Sequence, residues 1–163
     1  MRTGIGFDIH RFVDGRDFIL GGLHIPFEKG LSGHSDGDVL LHALADAILG
    51  AMGKPDIGYF FPPDDKNIEG IDSRKIIKKV LRIMREEGYF IENIDIVVIC
   101  ERPKLLSFAE EIKKNLAETL GIGIERIGFK AKTYEGLGDI GSGDACACFV
   151  STLIEREIVD ALG

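Results

Sequence analysis

The sequence predicts an α+β fold in which helices pack on a mixed or mainly antiparallel sheet. Short apolar or alternating segments, rich in β-branched and aromatic residues, indicate strands at both ends of the chain. Three longer segments with the helical period lie between these strands. The length of 163 residues suits one hydrophobic core, so we expect a single domain over residues 1–163.

The predicted strands are Thr3–Phe12, Phe18–Leu20, His24–Phe27, Ile94–Cys100, Ile127–Thr133 and Ala145–Ile154. The first helix begins at Ser35, which we take as its N-cap, with two aspartates in the first turn. The second begins at Asp72 or Ser73 and ends before Gly88. The third runs from Ser107 to Leu120 and ends at a glycine cap.

Composition limits the function of the chain. Apolar residues make up 45% of it, but no segment approaches the roughly 18 apolar residues that a membrane span needs, so we expect no membrane partner. The formal charge of −7 disfavours sequence-independent binding to nucleic acid. The N-terminus has no secretion signal, which predicts a cytoplasmic protein. The three cysteines lack CxxC spacing and are expected to be buried, reduced thiols.

Asp8, His10 and His42 are candidate metal ligands. Asp8 and His10 lie two apart on a predicted strand, so their side chains leave the same face. His42 lies on the first helix, which must dock on the sheet. An Asp/His/His set suits Zn²⁺ or a similar divalent ion, and three protein ligands leave a position for substrate. The alternatives are a chance D-x-H pair and a hydrogen-bonded core histidine.

Two aspartates could orient the ring of His42, because each lies one helical turn from it: Asp46 and Asp38. His34 and Ser35 precede the same helix, whose free N–H groups and dipole favour an anion such as phosphate. The alternative for this segment is a simple capping sequence.

Lys132–Glu135 ends a strand and opens a glycine-rich loop, where a hydroxyl and a carboxylate suit an anion or Mg²⁺. A polar surface turn is the alternative. The G-x-G-x-x-G spacing from Gly136 to Gly141 is followed by a predicted strand instead of a helix, which excludes a dinucleotide-binding fold. The loop containing Asp56 and Phe61 reads as a turn by itself.

Taken together and in order, the motifs of this chain resemble the 2-C-methyl-D-erythritol 2,4-cyclodiphosphate synthase family. The motifs that carry the resemblance are GIGFDIHRF, GLSGHSDGDVLLHALADAILGA, DIGYFFP, DSR, ERPKL and KAKTYEGLG. The family implies a ferredoxin-like variant of the α+β fold, assembled as a homotrimer with active sites between subunits. It also implies a reaction of non-mevalonate isoprenoid biosynthesis. In that reaction 4-diphosphocytidyl-2-C-methyl-D-erythritol 2-phosphate cyclises and releases CMP.

The resemblance also assigns roles to residues. Asp8, His10 and His42 would bind Zn²⁺, and Glu135 would help to hold Mg²⁺ or Mn²⁺ on the substrate diphosphate. His34 and Thr133 would stabilise the transition state. The expected substrate contacts are Ser35, Asp56, Ile57, Gly58, Phe61, Asp64, Asp65, Cys100, Pro103, Lys104, Leu105, Leu106, Ala131 and Lys132.

Some positions depart from the family pattern. Pro63 stands where an aspartate is frequent, although Asp64 and Asp65 could compensate. Asp139 and Ser142 replace an aromatic residue and an arginine that bind isoprenoid diphosphates on the trimer axis of some members, so we do not expect that ligand here. A non-catalytic metal-stabilised trimer and a zinc phosphohydrolase are the alternative functions.

Overall fold

The computed structural model describes residues 1–62 and 70–157 of the chain. The expected substrate contacts Asp64 and Asp65, like Pro63, lie outside the described residues. The elements are β1 (Arg2–Asp14), β2 (Phe18–Leu20), β3 (Leu23–Ile25), β4 (Lys29–Leu31), α1 (Val39–Ala51), α2 (Ile57–Phe60), α3 (Ser73–Glu86), β5 (Tyr89–Cys100), α4 (Ala109–Leu120), β6 (Ile127–Lys132), α5 (Gly138–Gly141) and β7 (Ala145–Arg156). Two short 3-10 turns, Leu105–Phe108 and Ile124–Arg126, precede α4 and β6.

The main sheet has five strands in the order β4-β1-β7-β5-β6. All neighbours pair antiparallel except β5 and β6, which are parallel and are connected through α4. The prediction of an α+β fold with helices on a mixed sheet is confirmed. The strand after the G-x-G-x-x-G segment is also confirmed, because β7 begins at Ala145 and the preceding α5 is a single turn.

The long helices cover one face of the sheet and form the core with it. Every residue of α1 except Asp46 and Gly50 is buried, and α3 buries the apolar positions that its period predicts: Ile76, Ile77, Val80, Leu81 and Met84. None of the helices in the described part of the chain is long and apolar enough to cross a bilayer.

Two glycines of β1 let α1 approach the sheet closely. A Cβ at Gly6 would lie 1.9 Å from the carbonyl oxygen of Ala43, and one at Gly4 would lie 2.0 Å from that of Ala47. Only glycine on the strand, facing alanine on the helix, permits this backbone contact. The contact brings the first turn of α1 beside the centre of β1.

The prediction that Ser35 is the N-cap of α1 is wrong. The helix begins after Asp38, whose carboxylate accepts hydrogen bonds from the N–H groups of Leu40 and Leu41. The same carboxylate accepts from the N–H groups of Gly21 and Gly22 in the β2–β3 turn. Asp38 therefore joins the helix start to a distant turn, a partner that local sequence does not reveal.

The outer face of the sheet carries exposed apolar side chains. Ile5, Phe7 and Ile9 on β1 are 73%, 47% and 45% exposed, and Phe149 on β7 is 40% exposed. Phe7 and Phe149 are register partners whose ring centroids lie 4.6 Å apart. We call these four residues the outer apolar face.

Candidate functional site

Three ligand atoms from Asp8, His10 and His42 converge at the contact between β1 and α1. Oδ2 of Asp8 lies 2.9 Å from Nε2 of His10 and 2.9 Å from Nδ1 of His42. The two histidine nitrogens are 3.2 Å apart. Four ligands around Zn²⁺ at 2.0–2.2 Å are separated by roughly 3.3 to 3.6 Å, so a shift of a few tenths of an ångström admits an ion. The donor set fits a divalent metal with a position left open for another ligand.

The elements of the fold explain this convergence. Gly4, Gly6, Asp8 and His10 alternate along β1 and point to α1, whereas Ile5, Phe7 and Ile9 point away. The helix presents His42 to the strand just beyond the close contact of Gly6 with Ala43. The small residues thus set the distance at which the ligands meet.

The charges of the site reinforce each other. Burial alone would raise the pKa of Asp8, but hydrogen bonds and positive charge from His10 and His42 outweigh burial and hold the pKa of Asp8 well below its usual range. Burial would lower the pKa of His42, yet the Asp8 carboxylate outweighs it and raises the pKa. Without a metal, the Asp8 carboxylate therefore stays ionised and favours the protonated form of His42.

The far side of the His42 ring meets two hydroxyls. Its Nε2 lies 2.9 Å from Oγ of Ser35 and 2.9 Å from Oγ of Ser73. The aspartates predicted to orient the ring do not contact it. Asp46 accepts a hydrogen bond of 2.8 Å from the N–H of Ile57, and Asp38 caps α1.

Both aspartates lie on α1 or at its start but point elsewhere, which corrects that expectation. Burial raises the pKa of Asp38 to about 6, against the opposing effect of its N–H donors. The pKa of Asp46 is also raised, chiefly by burial.

A cleft of about 220 Å³ opens in front of the three ligands. Its wall brings together most of the site residues predicted in the first half of the chain: Asp8, His10, His34, Ser35, His42, Ile57, Gly58 and Phe61. Ile71 and Ile76 complete it and make it largely apolar. Asp56 lies beside the cleft and caps α2 through the N–H of Tyr59.

The last described residues before position 63 are held by α3. Nζ of Lys79 donates a hydrogen bond of 3.3 Å to the carbonyl of Phe60 and lies 4.5 Å from the ring centroid of Phe61. On the other side, the N–H of Gly70 donates to the carbonyl of His34 at 2.7 Å. One border of the cleft is therefore held by α3 and the other by the loop that carries His34.

The second predicted group, at the end of β6, is not part of this cleft. Thr133 donates a hydrogen bond of 2.9 Å from its hydroxyl to Glu135; Thr133 is half-buried and Glu135 is exposed. Glu135 adopts a left-handed backbone with φ of 52°, which is uncommon for a residue with a Cβ. A carboxylate held in this conformation at the surface is available to a ligand.

The predicted cytidine-contact segment lies beside this second group. Leu105 is buried, Leu106 is 76% exposed, and Cys100 is buried with its thiol donating to the carbonyl of Arg102. The N–H of Tyr134 donates to the carboxylate of Glu101 at 3.1 Å, which joins the two segments. Pro103, Lys104, Ala131 and Lys132 belong to the same region, where β5 and β6 end side by side.

The three cysteines are free and buried, as predicted. Cys146 and Cys148 are the register partners of His10 and Asp8 on the adjacent strand. A hydrogen bond with Cys100, together with burial, raises the pKa of Cys146, so its thiol stays protonated beside the ligands.

Ser73 and Arg16 are site residues that the sequence did not reveal. Arg16 donates a hydrogen bond of 2.9 Å to the carbonyl of Gly33 and another to that of Ser35, which fixes the loop that carries His34. Ser73 stands in the DSR motif, but its pattern indicates only a helix start. Its contact with His42 spans 31 positions of the chain.

Comparison with known proteins identifies the family of the chain. The model of the YgbB family matches residues 1–155. The chain belongs to the YgbB family. This confirms the resemblance found in the sequence.

This YgbB-family chain matches other proteins, both curated relatives and solved structures, over nearly its whole length. It is 53% identical over 154 residues to the 2-C-methyl-D-erythritol 2,4-cyclodiphosphate synthase of Treponema denticola, covering 94% of this chain and 96% of the relative. It is similar to the Plasmodium falciparum IspF in complex with CDP, with a TM-score of 0.84 and 34% identity. The match covers 96% of this chain and 97% of that one. It is also similar to the bifunctional IspDF of Campylobacter jejuni, with a TM-score of 0.92 and 41% identity, covering 96% of this chain and 42% of that longer one.

Proposed function

We propose that this chain is a 2-C-methyl-D-erythritol 2,4-cyclodiphosphate synthase. It acts in non-mevalonate isoprenoid biosynthesis and releases CMP from 4-diphosphocytidyl-2-C-methyl-D-erythritol 2-phosphate. The observation that carries the proposal is the convergence of Asp8, His10 and His42 beside His34 in one cleft. Relatives about 50% identical over nearly the full length bear the name of this enzyme.

The reaction needs positioning and charge neutralisation more than covalent help from protein. An oxygen of the 2-phosphate attacks the β-phosphorus, a new P–O bond forms, and the bond to the CMP oxygen breaks. Holding the two phosphates in line and balancing their charge accounts for most of the required catalysis. Asp8, His10 and His42 would hold a divalent ion, which we propose to be Zn²⁺ and which would supply Lewis-acid polarisation of the phosphate.

The chain's own groups orient the substrate around this point. His34 lies at the cleft wall beside Ser35, so its imidazole is available to the methylerythritol phosphate, while the Ser35 hydroxyl also contacts His42. The apolar wall formed by Ile57, Phe61 and Ile76 limits the access of water to the reacting phosphates. Asp56 and Gly58 are proposed to contact either the erythritol portion or the ribose.

Thr133 and Glu135 are proposed to complete the site on its other half. An exposed carboxylate with a neighbouring hydroxyl suits Mg²⁺ or Mn²⁺ bound together with the substrate diphosphate. The cytidine pocket would be formed by Cys100, Leu106 and Lys132 with their neighbours. The similar Plasmodium falciparum protein forms a complex with CDP, which supports a cytidine-linked substrate for this chain.

We propose that three copies of the chain assemble and that each site lies between two of them. Glu135 and Thr133 are absent from the cleft that holds the metal ligands, so one chain alone does not bring the two halves together. The outer apolar face, Ile5, Phe7, Ile9 and Phe149, offers the surface that such an assembly would bury. The ferredoxin-like classification and the cytoplasmic location stay predictions.

The decisive experiment is to incubate the purified protein with the cytidyl substrate and Mg²⁺ in ¹⁸O-labelled water. We expect CMP and a cyclic diphosphate without the heavy label, because the nucleophile is the substrate's own phosphate. Label in the product would identify a hydrolase. Absence of any product with bound substrate would favour a non-catalytic binding protein.

A further inference from the structure

The His42 ring is held from two opposite sides. Nδ1 faces Asp8 and His10, at 2.9 and 3.2 Å, and is the atom available to a metal. Nε2 faces the hydroxyls of Ser35 and Ser73, both at 2.9 Å. The His42 side chain is 9% exposed, so these contacts are hardly replaced by water.

Ser73 connects this ring to a carboxylate. Its hydroxyl lies 2.5 Å from Oδ1 of Asp36, and its backbone N–H donates to Oδ2 of the same residue at 3.0 Å. Ser73 is completely buried. The N–H of Asp36 donates in turn to the carbonyl of Ile71 at 3.1 Å, which fixes the position of the carboxylate.

The donor and acceptor capacities define one direction for this chain of hydrogen bonds. An ionised carboxylate only accepts, so the single hydroxyl proton of Ser73 points to Asp36. The oxygen of Ser73 is then free to accept a hydrogen bond from His42 Nε2, beside the Ser35 hydroxyl at the same distance. When Nδ1 binds a metal, Nε2 carries the remaining ring proton and is the donor.

We infer that Ser73 and Asp36 are positioning residues of the metal centre, acting through the chain His42 Nε2–H, Ser73 Oγ–H and the Asp36 carboxylate. This inference rests on the proposed metal-binding function. The chain fixes the tautomer and the rotation of the ring and makes Nδ1 a stronger ligand. Loss of such outer partners typically lowers metal affinity about 10- to 100-fold.

The same contacts could serve only to start α3, and a matched variant separates these roles. Asp72 is the N-cap of α3, accepts from the N–H of Arg74 and makes no contact with His42. Asp72→Ala removes the side-chain cap of the helix start and leaves the ring untouched. If Ser73 served only to start the helix, Asp72→Ala and Ser73→Ala would lower the metal affinity equally.

The test is a titration of the metal-free proteins with Co²⁺ against a competing chelator. We expect Ser73→Ala to raise the Kd about 10- to 100-fold and to change the visible spectrum of bound Co²⁺, with Asp72→Ala matching the wild type in both. Asp36→Asn keeps the shape but weakens the final acceptor, so an intermediate rise is expected. This milder variant decides the question if Ser73→Ala does not fold.

His42→Ala separates failure of this inference from failure of the proposed function. If His42→Ala abolishes Co²⁺ binding while Ser73→Ala and Asp36→Asn bind like the wild type, the positioning role is refuted and the metal site stands. If Asp72→Ala weakens binding as much as Ser73→Ala does, the role of Ser73 is structural. If His42→Ala changes nothing, the metal site itself is wrong.

Discussion

Gly6 on β1 lies against the backbone of Ala43 on α1 so closely that an added Cβ would be 1.9 Å from the Ala43 carbonyl oxygen. Gly6→Ala must push the helix away from the strand, because the obstacle is backbone and not a flexible side chain. We expect a loss of about 1 to 3 kcal/mol or more in the free energy of unfolding. Metal affinity should fall as well, since His42 moves away from Asp8 and His10.

Urea denaturation and Co²⁺ titration of the metal-free protein measure both effects. Gly50→Ala is the matched control, because Gly50 lies exposed on the same helix and an added Cβ would come no closer than 3.8 Å to another atom. It should raise stability by roughly 0.5 to 1 kcal/mol. Equal losses in the two variants would refute the role of the close contact.

The metal-free protein should lose stability as the pH rises above neutrality. The pKa of His42 is raised above 6.5 in the folded state, so its contribution is complete below pH 6.5 and is lost as the pH rises through the raised value. The pKa of Asp8 is lowered from 3.8, so its contribution is lost only in acid and does not affect this range.

Unfolding free energies of the metal-free protein between about pH 5 and 9 check this slope. His42→Ala should show a weaker decline over the same range. A metal ion should reverse the trend, because the ligands bind it in their deprotonated forms and affinity increases with pH. Parallel curves for the wild type and His42→Ala would contradict the prediction.

The backbone conformation of Glu135 should lower the stability of the protein, while its carboxylate serves the Mg²⁺-dependent activity. Its φ of 52° is unfavourable for a residue with a Cβ, and glycine removes roughly 1 kcal/mol of strain. Glu135→Gly should therefore be more stable than Glu135→Ala, which loses the same carboxylate but keeps the strain. Both variants should lose most of the Mg²⁺-dependent activity while still binding metal at His42.

Thermal denaturation compares the two variants, and a Mg²⁺ titration of CMP release follows their activity. Retention of the wild-type Mg²⁺ response in Glu135→Ala would remove Glu135 from the proposed second metal site. Equal stability of the glycine and alanine variants would show that the backbone conformation costs nothing.

Phe7→Glu should prevent assembly. The Phe7 ring packs on Phe149 in the outer apolar face, and a charge there would have to be desolvated when chains associate. Sedimentation analysis should find a trimer for the wild type and smaller species for the variant, with activity lost in parallel. Arg82→Glu on the exposed side of α3, whose side chain is 70% exposed, is the control and should leave the assembly unchanged.

The alternation and period of the sequence predicted those features of the fold that depend on neighbouring residues. The alternation of β1 placed Asp8 and His10 on one face, and the helical period located the buried side of α3. The predicted start of α1 was wrong because Ser35, Asp36 and Asp38 are all good N-caps. The choice among them depends on the N–H groups of Gly21 and Gly22, which are distant in sequence. A capping preference cannot include such distant donors.

The partners of His42 were beyond prediction for the same reason. Asp46 and Asp38 are its neighbours by helical spacing, but Ser73 reaches the ring from another helix. Helical period and residue propensity do not reveal which helices pack against each other. The three metal ligands could be predicted because two of them, Asp8 and His10, lie on the same strand.

β1 uses both of its faces, with Asp8 and His10 on one and Phe7 and Ile9 on the other. Inserting or deleting one residue in this strand would exchange the two sets, because successive side chains alternate. The ligands would point out of the molecule and a phenylalanine would take their place. The evolution of this strand is therefore restricted to substitutions, and changes of length should be tolerated only in the connecting loops.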